Sequence, residues 1–222
     1  MKFLERYYNN FCIRDTCFSS HRPLRLIVVI PCYDESFEVI KLCLDSLERA
    51  AVAYQQELAV WLLVNDREDS YDSFKQNSLQ LTEQLKHLRF SFDFQVCYES
   101  FRGKQIGVGY ARKYLMDAAF MHFYERGQEG LIINLDADTT VDTNYFNAIS
   151  HFFADSNSPE AASIAFAHRF VSGSLQNKLA ATLYELHLRY FINMQRWIAL
   201  PFAFQTIGSA MAVKTWAYAK EG

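Results

Sequence analysis

Leu131-Ile132-Ile133-Asn134-Leu135-Asp136-Ala137-Asp138-Thr139-Thr140 is the stretch whose reading decides the fold. The apolar run Leu131–Leu135 is too short for a helix and reads as a buried strand of a parallel sheet. It ends abruptly in two carboxylates, Asp136 and Asp138, spaced i, i+2. Ligands of open α/β sheets collect at the carboxyl ends of such strands. Two like charges there repel each other, so a cation is the natural third party. Oxygen-only ligands favour Mg²⁺ or Mn²⁺ over zinc, and magnesium completes its shell with water and substrate phosphates. The motif therefore points to a metal-bridged phosphate.

Working outward, strands and helices alternate. Phe3–Ile13 reads as a short helix, followed by a loop through Ser19, Ser20 and Pro23. Leu24–Ile30 is a β-branched apolar run and the first strand. Ser36 is placed to cap a helix whose apolar positions, Val39, Ile40, Cys43, Leu44, Leu47, Ala50 and Ala51, follow a 3.6-residue period. Leu58–Val64 is the second strand, Asp72–Leu88 the second helix and Phe90–Tyr98 a third strand. A turn with Gly103, Gly107 and Gly109 leads into a helix ending near Tyr124, ahead of the fourth strand. This succession predicts an α/β fold with a doubly wound, mostly parallel sheet flanked by helices. Beyond the Asp-x-Asp, Asp142 is placed to cap a helix to Phe153, and Ala161–Ala167 reads as a strand. Leu175–Ile198 reads as a long amphipathic helix with Leu179, Leu183, Leu186, Tyr190, Met194 and Ile198 on one face. Thr206–Val213 is a last strand and Thr215–Lys220 a last helix. The aromatics Phe170, Tyr184, Tyr190, Phe191, Trp197, Phe202 and Phe204 are expected mostly as core, some of them as an acceptor wall.

Composition narrows the function classes. Half of the 222 residues are apolar and 16% are aromatic, so the chain has the material for a full core. A net charge of −3 offers no global basic surface for nucleic acid. Five scattered cysteines, with Cys12-x₄-Cys17 lacking zinc partners, favour a reducing, cytoplasmic setting. Residues 1–10 do not form a signal peptide, and the charges within Leu183–Phe204 exclude a membrane span. No transmembrane segment is expected. The six histidines show no zinc-ligand spacing and read as structural, although His168 follows a strand that leads towards the crevice.

Three further segments sit where chemistry is expected. Strand one ends in Pro31-Cys32-Tyr33-Asp34-Glu35, where Pro31 stops the ladder and Tyr33 is placed to stack on a base; a plain turn before a helix is the other reading. Strand two ends in Asn65-Asp66-Arg67-Glu68-Asp69, a solvated loop or a base-edge reader. Gly103-Lys104-Gln105-Ile106-Gly107-Val108-Gly109 is neither a Walker A loop nor a dinucleotide fingerprint, but a permissive turn presenting Lys104 to a ligand.

Taken together, Val28–Glu35, Leu63–Asp66, Gly103-Lys104 with Ala111-Arg112, Leu135–Asp138 and Ile207–Val213 resemble glycosyltransferase family 2 in order and spacing. The resemblance implies a single GT-A domain over residues 1–222, with a Rossmann-like nucleotide-sugar half at 24–140 and an acceptor half at 141–222. It implies inverting transfer of a hexosyl group from a nucleoside-diphosphate sugar to a saccharide or lipid-linked acceptor, assisted by Mn²⁺ or Mg²⁺. Polysaccharide biosynthesis in the cytoplasm, with peripheral association at the inner face of the membrane, is the corresponding setting. Pro31, Tyr33, Glu35, Asn65, Asp66 and Asp136 would hold the nucleotide, Asp136 and Asp138 the metal, and Gly208 and Ser209 would lie near the transferred sugar and acceptor. Two positions depart from the family: Asn65 stands where Asp is frequent, and no Glu-Asp pair follows the Gly208–Val213 strand. Glu221 is too close to that strand to replace it, so the catalytic base is expected beyond Gly222 in a longer chain. The rival readings are a non-catalytic nucleotide-sugar binder and a phosphatase resembling haloacid dehalogenases, whose nucleophile motif is also strand-Asp-x-Asp-x-Thr.

Overall fold

Leu26–Cys32 (β1) is buried at every position, as a strand covered on both faces must be. With Leu58–Arg67 (β2), Asp93–Phe101 (β3), Leu131–Asn134 (β4), Ala161–Ser163 (β5) and Met211–Lys214 (β6) it builds a six-stranded, mostly parallel sheet of order β3-β2-β1-β4-β6-β5. The computed structural model describes residues 2–155, 159–167, 174–204 and 207–221. Val28 is in register with Val60 on one side and Ile133 on the other, both parallel. The helices are Lys2–Asn10 (α1), Phe37–Tyr54 (α2), Asp72–Lys86 (α3), Val108–Glu125 (α4), Tyr145–Phe153 (α5), Leu175–Trp197 (α6) and Thr215–Glu221 (α7).

The side-chain period of two divides the strands between two layers. Ile27, Val29, Trp61 and Leu63 join Tyr7, Leu115, Phe120 and Ala219 in one core, beneath α1, α4 and α7. Val28, Ile30 and Leu62 are left to the face where α2, α3 and α5 pack together. The expected doubly wound sheet is thus present, with its reversal between β1 and β4. Residues 1–162 and 212–222 form one compact unit, and residues 163–211 form a second.

Several boundaries differ from the expectation. β1 runs on through Pro31, which pairs in register with Leu63. Val29 directs its carbonyl towards β4, accepting from the Leu135 amide, and Pro31 points the same way two residues later. The β1–β4 register ends at Val29 and Asn134, so the missing N–H costs no ladder bond. β2 continues through Asn65, Asp66 and Arg67, which are strand residues paired with Glu99, Ser100 and Phe101 rather than loop. β3 begins three residues later than expected, because Phe90 and Phe92 stack on one another ahead of it. Ser36 caps α2 as expected, its hydroxyl accepting from the Val39 amide. Asp142 does not cap α5; its carbonyl accepts from Tyr145 in the preceding turn. β5 ends at Ser163, and β6 starts at Met211; Thr206 lies outside the described residues.

Cys17 and Cys97 are joined in a disulfide that ties the segment after α1 to edge strand β3. Their sequence spacing does not announce this pairing, and such bonds are uncommon in reducing compartments. Cys12, Cys32 and Cys43 are free thiols.

His122 is 4% exposed, edge-on to Trp61 and Phe123, and among the described residues neither ring nitrogen has a hydrogen-bond partner. Burial, aided by the nearby Arg126, pushes its pKa down from 6.5 to about 4. The unfolded chain binds this proton at higher pH than the folded one. The contribution of the neutral ring is therefore complete above about pH 6.5 and is lost as pH falls towards about 4, up to about 3 kcal/mol. Urea denaturation at pH 7.5 and pH 5 is expected to show a smaller stability loss in His122→Phe than in the parent chain. An equal loss in both would remove His122 from the acid response.

Candidate functional site

Asp136 follows β4 directly, and the turn that carries it is fixed from below by α2. The Asp136 carbonyl accepts from the Thr139 amide at 3.1 Å and from the Cys43 thiol at 3.9 Å. One turn along α2, the Ser46 hydroxyl accepts from the Val141 amide at 3.0 Å while donating to the Cys43 carbonyl at 2.6 Å. Burial and the two aspartates push the Cys43 thiol up to about 12, so it stays protonated and remains a donor. The Asp-x-Asp loop is thus held by a buried thiol and a buried hydroxyl.

The two carboxylates are not equivalent. Asp136 Oδ1 accepts from Arg112 Nη2 of α4 at 2.8 Å, and the Arg112 side chain is 18% exposed. Arg112 Nε is buried and has no partner among the described residues. Asp138 is exposed, and among the described residues no hydrogen bond or ion pair engages its carboxylate. No group of three or more His, Cys, Asp and Glu among the described residues is arranged to enclose a metal ion. The available set is therefore Asp138 together with Asp136 Oδ2. Two carboxylates fit a hard divalent cation that leaves most positions to water and phosphate oxygens, and they do not make an all-protein cage.

The second cluster lies at the ends of β1 and β2. Tyr33 is 48% exposed, and its ring centroid is 5.5 Å from that of Phe74 on α3. The two rings stand in the wall of a cavity of about 420 Å³ reached also by Cys32, Val64, Asn77 and Gln84. Glu35 folds back: its Oε2 accepts from the amides of Tyr33 at 2.7 Å and Asp34 at 3.2 Å, which sets the shape of this loop. Pro31 is a buried strand residue beneath it.

Asn65 and Asp66 are 5% and 1% exposed, on opposite faces of β2. Asp66 accepts from Tyr98 at Oδ2 and from Ser100 at Oδ1, both at 2.6 Å. Burial, then the Asp66 carboxylate, pushes the Tyr98 hydroxyl up to about 12, so it remains a donor. Each Asp66 oxygen keeps accepting capacity for one further donor. Lys104 is exposed on a short 3₁₀ turn, Gly103–Gln105. Gly107, at φ 108°, lets the chain re-enter α4 in a conformation that other residues adopt only with strain.

Gly208 and Ser209 lie in the second unit, in a turn closed by the Ala210 amide on the Ile207 carbonyl. His168 and Phe170 fall outside the described residues. The aromatic face expected mostly as core is corrected: Tyr184, Tyr190, Phe191, Trp197, Phe202 and Phe204 are all exposed. Their hydrophobicity suggests burial, but the less exposed positions of α6 are Lys178, Ala181, Glu185, Leu188, Ile192 and Gln195.

Sequence reasoning did not assign roles to Arg112, Tyr98, Ser100 or Phe74. The i, i+2 spacing of Tyr98 and Ser100 puts them on one face of β3, but only the register with Val64 and Asp66 shows which acid they reach. Arg112 is 24 residues from Asp136, and no local pattern links them.

No protein-family model matches the chain, and no curated protein matches it. Among solved structures, it is similar to S. aureus TarS 1–349 in complex with UDP-GlcNAc, with 16% identity and a TM-score of 0.44 over 68% of this chain and 37% of that one. It is similar to the mannosyltransferase PcManGT from Pyrobaculum calidifontis in complex with GDP-Man and Mn²⁺, with 16% identity, a TM-score of 0.41, and coverage of 80% and 43%. The mannosyltransferase Ktr4p from S. cerevisiae in complex with GDP gives 9% identity, a TM-score of 0.29, and coverage of 83% and 55%. No helix among the described residues is long and apolar enough to cross a membrane. The chain spans between 37% and 55% of the length of these three proteins.

Proposed function

We propose that this chain is the donor-binding part of a family 2 glycosyltransferase, which transfers a hexosyl group with inversion from a nucleoside-diphosphate sugar to a saccharide or lipid-linked acceptor. The observation that carries the reading is the gathering of the Tyr33–Phe74 cavity, buried Asn65 and Asp66, and the Asp136-x-Asp138 loop at the carboxyl ends of three parallel strands. Ligands of doubly wound sheets bind at that edge.

The roles follow from the chemistry of each group. Tyr33 and Phe74 offer ring faces to the base, and Pro31 and Glu35 hold the Tyr33 loop in place. Asn65 and Asp66 supply amide and carboxylate acceptors for base and ribose donors at the floor of the strand ends. Lys104 supplies a positive charge for the diphosphate. Asp136 and Asp138 would hold Mn²⁺ or Mg²⁺, which when bound neutralises charge on the departing diphosphate. Arg112 aims Asp136, its guanidinium taking one oxygen and leaving the other. Gly208 and Ser209 are assigned to the acceptor side. Inverting transfer also needs a group that takes the acceptor hydroxyl's proton. No residue of this chain is assigned that role.

Thermal denaturation with UDP or GDP, each with and without Mn²⁺, tests the reading. At about a hundredfold excess over Kd, the matching nucleotide with metal is expected to raise Tm by roughly 5–10 °C, and neither alone to do as much. Absence of a shift with every pair, or release of phosphate from a simple phosphomonoester, would overturn it.

A further inference from the structure

We propose that the Cys17–Cys97 bond is a redox-responsive strap, which a dithiol opens in the folded chain and which sets how firmly β3 holds Asp66. Its effect on a bound nucleotide rests on the donor-site reading; its effect on the strand does not. β3 lies at one edge of the sheet with β2 as its strand neighbour, so its outer side lacks the support of a second ladder. The segment after α1 supplies support instead. Asp93, Gln95, Cys97 and Glu99 share one face of β3 by the period of two. Across that face, Ser20 Oγ donates to Asp93 Oδ2 at 2.6 Å. The Ser19 amide donates to Gln95 Oε1 at 3.2 Å, and Gln95 Nε2 donates to the Ser19 carbonyl at 2.6 Å. Cys17 is joined to Cys97. The Cys17 amide also donates to the Tyr114 hydroxyl at 3.0 Å, which in turn donates to Glu99 Oε1 at 3.1 Å. The opposite face of β3 carries Tyr98 and Ser100, the two donors to Asp66. The covalent tie thus precedes the first of these donors directly. Beyond it, among the described residues, the strap is hydrogen-bonded to β3 through the Tyr114 hydroxyl.

Exposed disulfides are the labile ones. Cys17 is exposed and Cys97 half-buried, so an external thiolate reaches the Cys17 sulfur. Attack there forms a mixed disulfide and expels Cys97 as a thiolate, which takes up a proton. The second thiolate of the dithiol then attacks its own half of the mixed disulfide and releases Cys17, which is protonated in turn. Two electrons and two protons pass to the protein, and the dithiol leaves as a cyclic disulfide. Oxidation by a disulfide reverses the exchange. The other thiols do not compete for the bond. Cys32 and Cys43 are buried, and burial, aided by Asp117, pushes Cys12 up to about 12. Once the bond is open, residues 93–95 keep their links to Ser19 and Ser20, whereas the end of β3 that carries Tyr98 and Ser100 loses its covalent hold.

The test compares the whole chain, prepared without reductant, before and after dithiothreitol and again after reoxidation with oxidised glutathione. Alkylation with iodoacetamide under native conditions is expected to add Cys17 and Cys97 to the labelled thiols after reduction. Hydrogen exchange at residues 97–101 should then speed up by about tenfold, and by more than at residues 93–95. Affinity for UDP or GDP with Mn²⁺, whichever binds, is expected to fall about fivefold as the Asp66 donors lose their fixed positions, and to return on reoxidation. Cys17→Ser with Cys97→Ser should match the reduced parent and be indifferent to dithiothreitol. Three results would overturn the proposal: equal exchange at residues 97–101 in both states, equal nucleotide affinity in both, or a bond that dithiothreitol opens only in urea. If neither state binds a nucleotide, the donor-site reading fails, and the exchange measurement decides the strap by itself.

Discussion

Asp138→Ala is expected to weaken Mn²⁺-dependent binding of the nucleoside diphosphate by about a hundredfold or more, with no change in the stability of the free chain. The two halves of this result have separate physical origins. Asp138 is exposed and engaged by no other group among the described residues, so removing it breaks no internal interaction; surface changes of that kind stay within about 0.5 kcal/mol. Yet among the described residues it is one of two carboxylates proposed for the cation, and removing a charged oxygen ligand from so sparse a set costs several kcal/mol, about tenfold in affinity for each 1.4 kcal/mol. Asp136→Asn should behave differently. It weakens the pair with Arg112 as well as the metal site, so a loss of Tm is expected alongside the loss of binding. Isothermal titration of UDP and GDP with Mn²⁺, run beside thermal denaturation of each variant, separates the two. Parent-like affinity in Asp138→Ala would remove the metal from the site.

The largest stability effect is expected at Asp117, a residue that the ligand site does not use. Its side chain is fully buried on α4 and has four donors. Oδ1 accepts from the Tyr7 and Tyr218 hydroxyls, each at 2.7 Å. Oδ2 accepts from the Ile13 amide at 2.8 Å and from Lys113 Nζ at 2.9 Å. Lys113 also donates to the Tyr7 oxygen at 2.8 Å, so the Tyr7 proton is directed at the carboxylate. Burial, with Asp117 adding to it, raises both tyrosine pKa values well above their usual range and keeps the hydroxyls as donors. One acid thereby joins α1, the loop after it, α4 and α7. Asp117→Ala would leave these donors unpaired in the core and is expected to cost about 3–5 kcal/mol, a large part of the total for a domain of this size. Tyr218→Phe deletes a single donor and should cost nearer 1 kcal/mol. Urea denaturation gives both values, and a loss under 1 kcal/mol for Asp117→Ala would mean that the network adds little to folding.

The position of the Asp136–Asp138 pair was legible because two independent signals coincide in it: a strand too short and apolar to be anything but buried, and carboxylates at the end where ligands gather. The α2 cap at Ser36 was legible because capping is a contact across three residues. Pro31 and Asn65–Arg67 were misread for a common reason. Local chemistry says that proline and a polar cluster end strands, whereas a neighbour determines whether a ladder bond is there to lose. β4 stops before Pro31 requires a donor, and β3 supplies partners out to Arg67.

By itself, then, the sequence determined the alternation of strands and helices, the parallel sheet and the placement of Asp136 and Asp138 at a strand end. These depend on periodicity and on contacts among residues close in the chain. Only the tertiary structure decided that Arg112 holds Asp136, that Tyr98 and Ser100 hold Asp66, and that Cys17 meets Cys97. Each of these is a meeting of distant segments, set by sheet register and helix docking, and a linear pattern carries no information about which of its faces will find a partner.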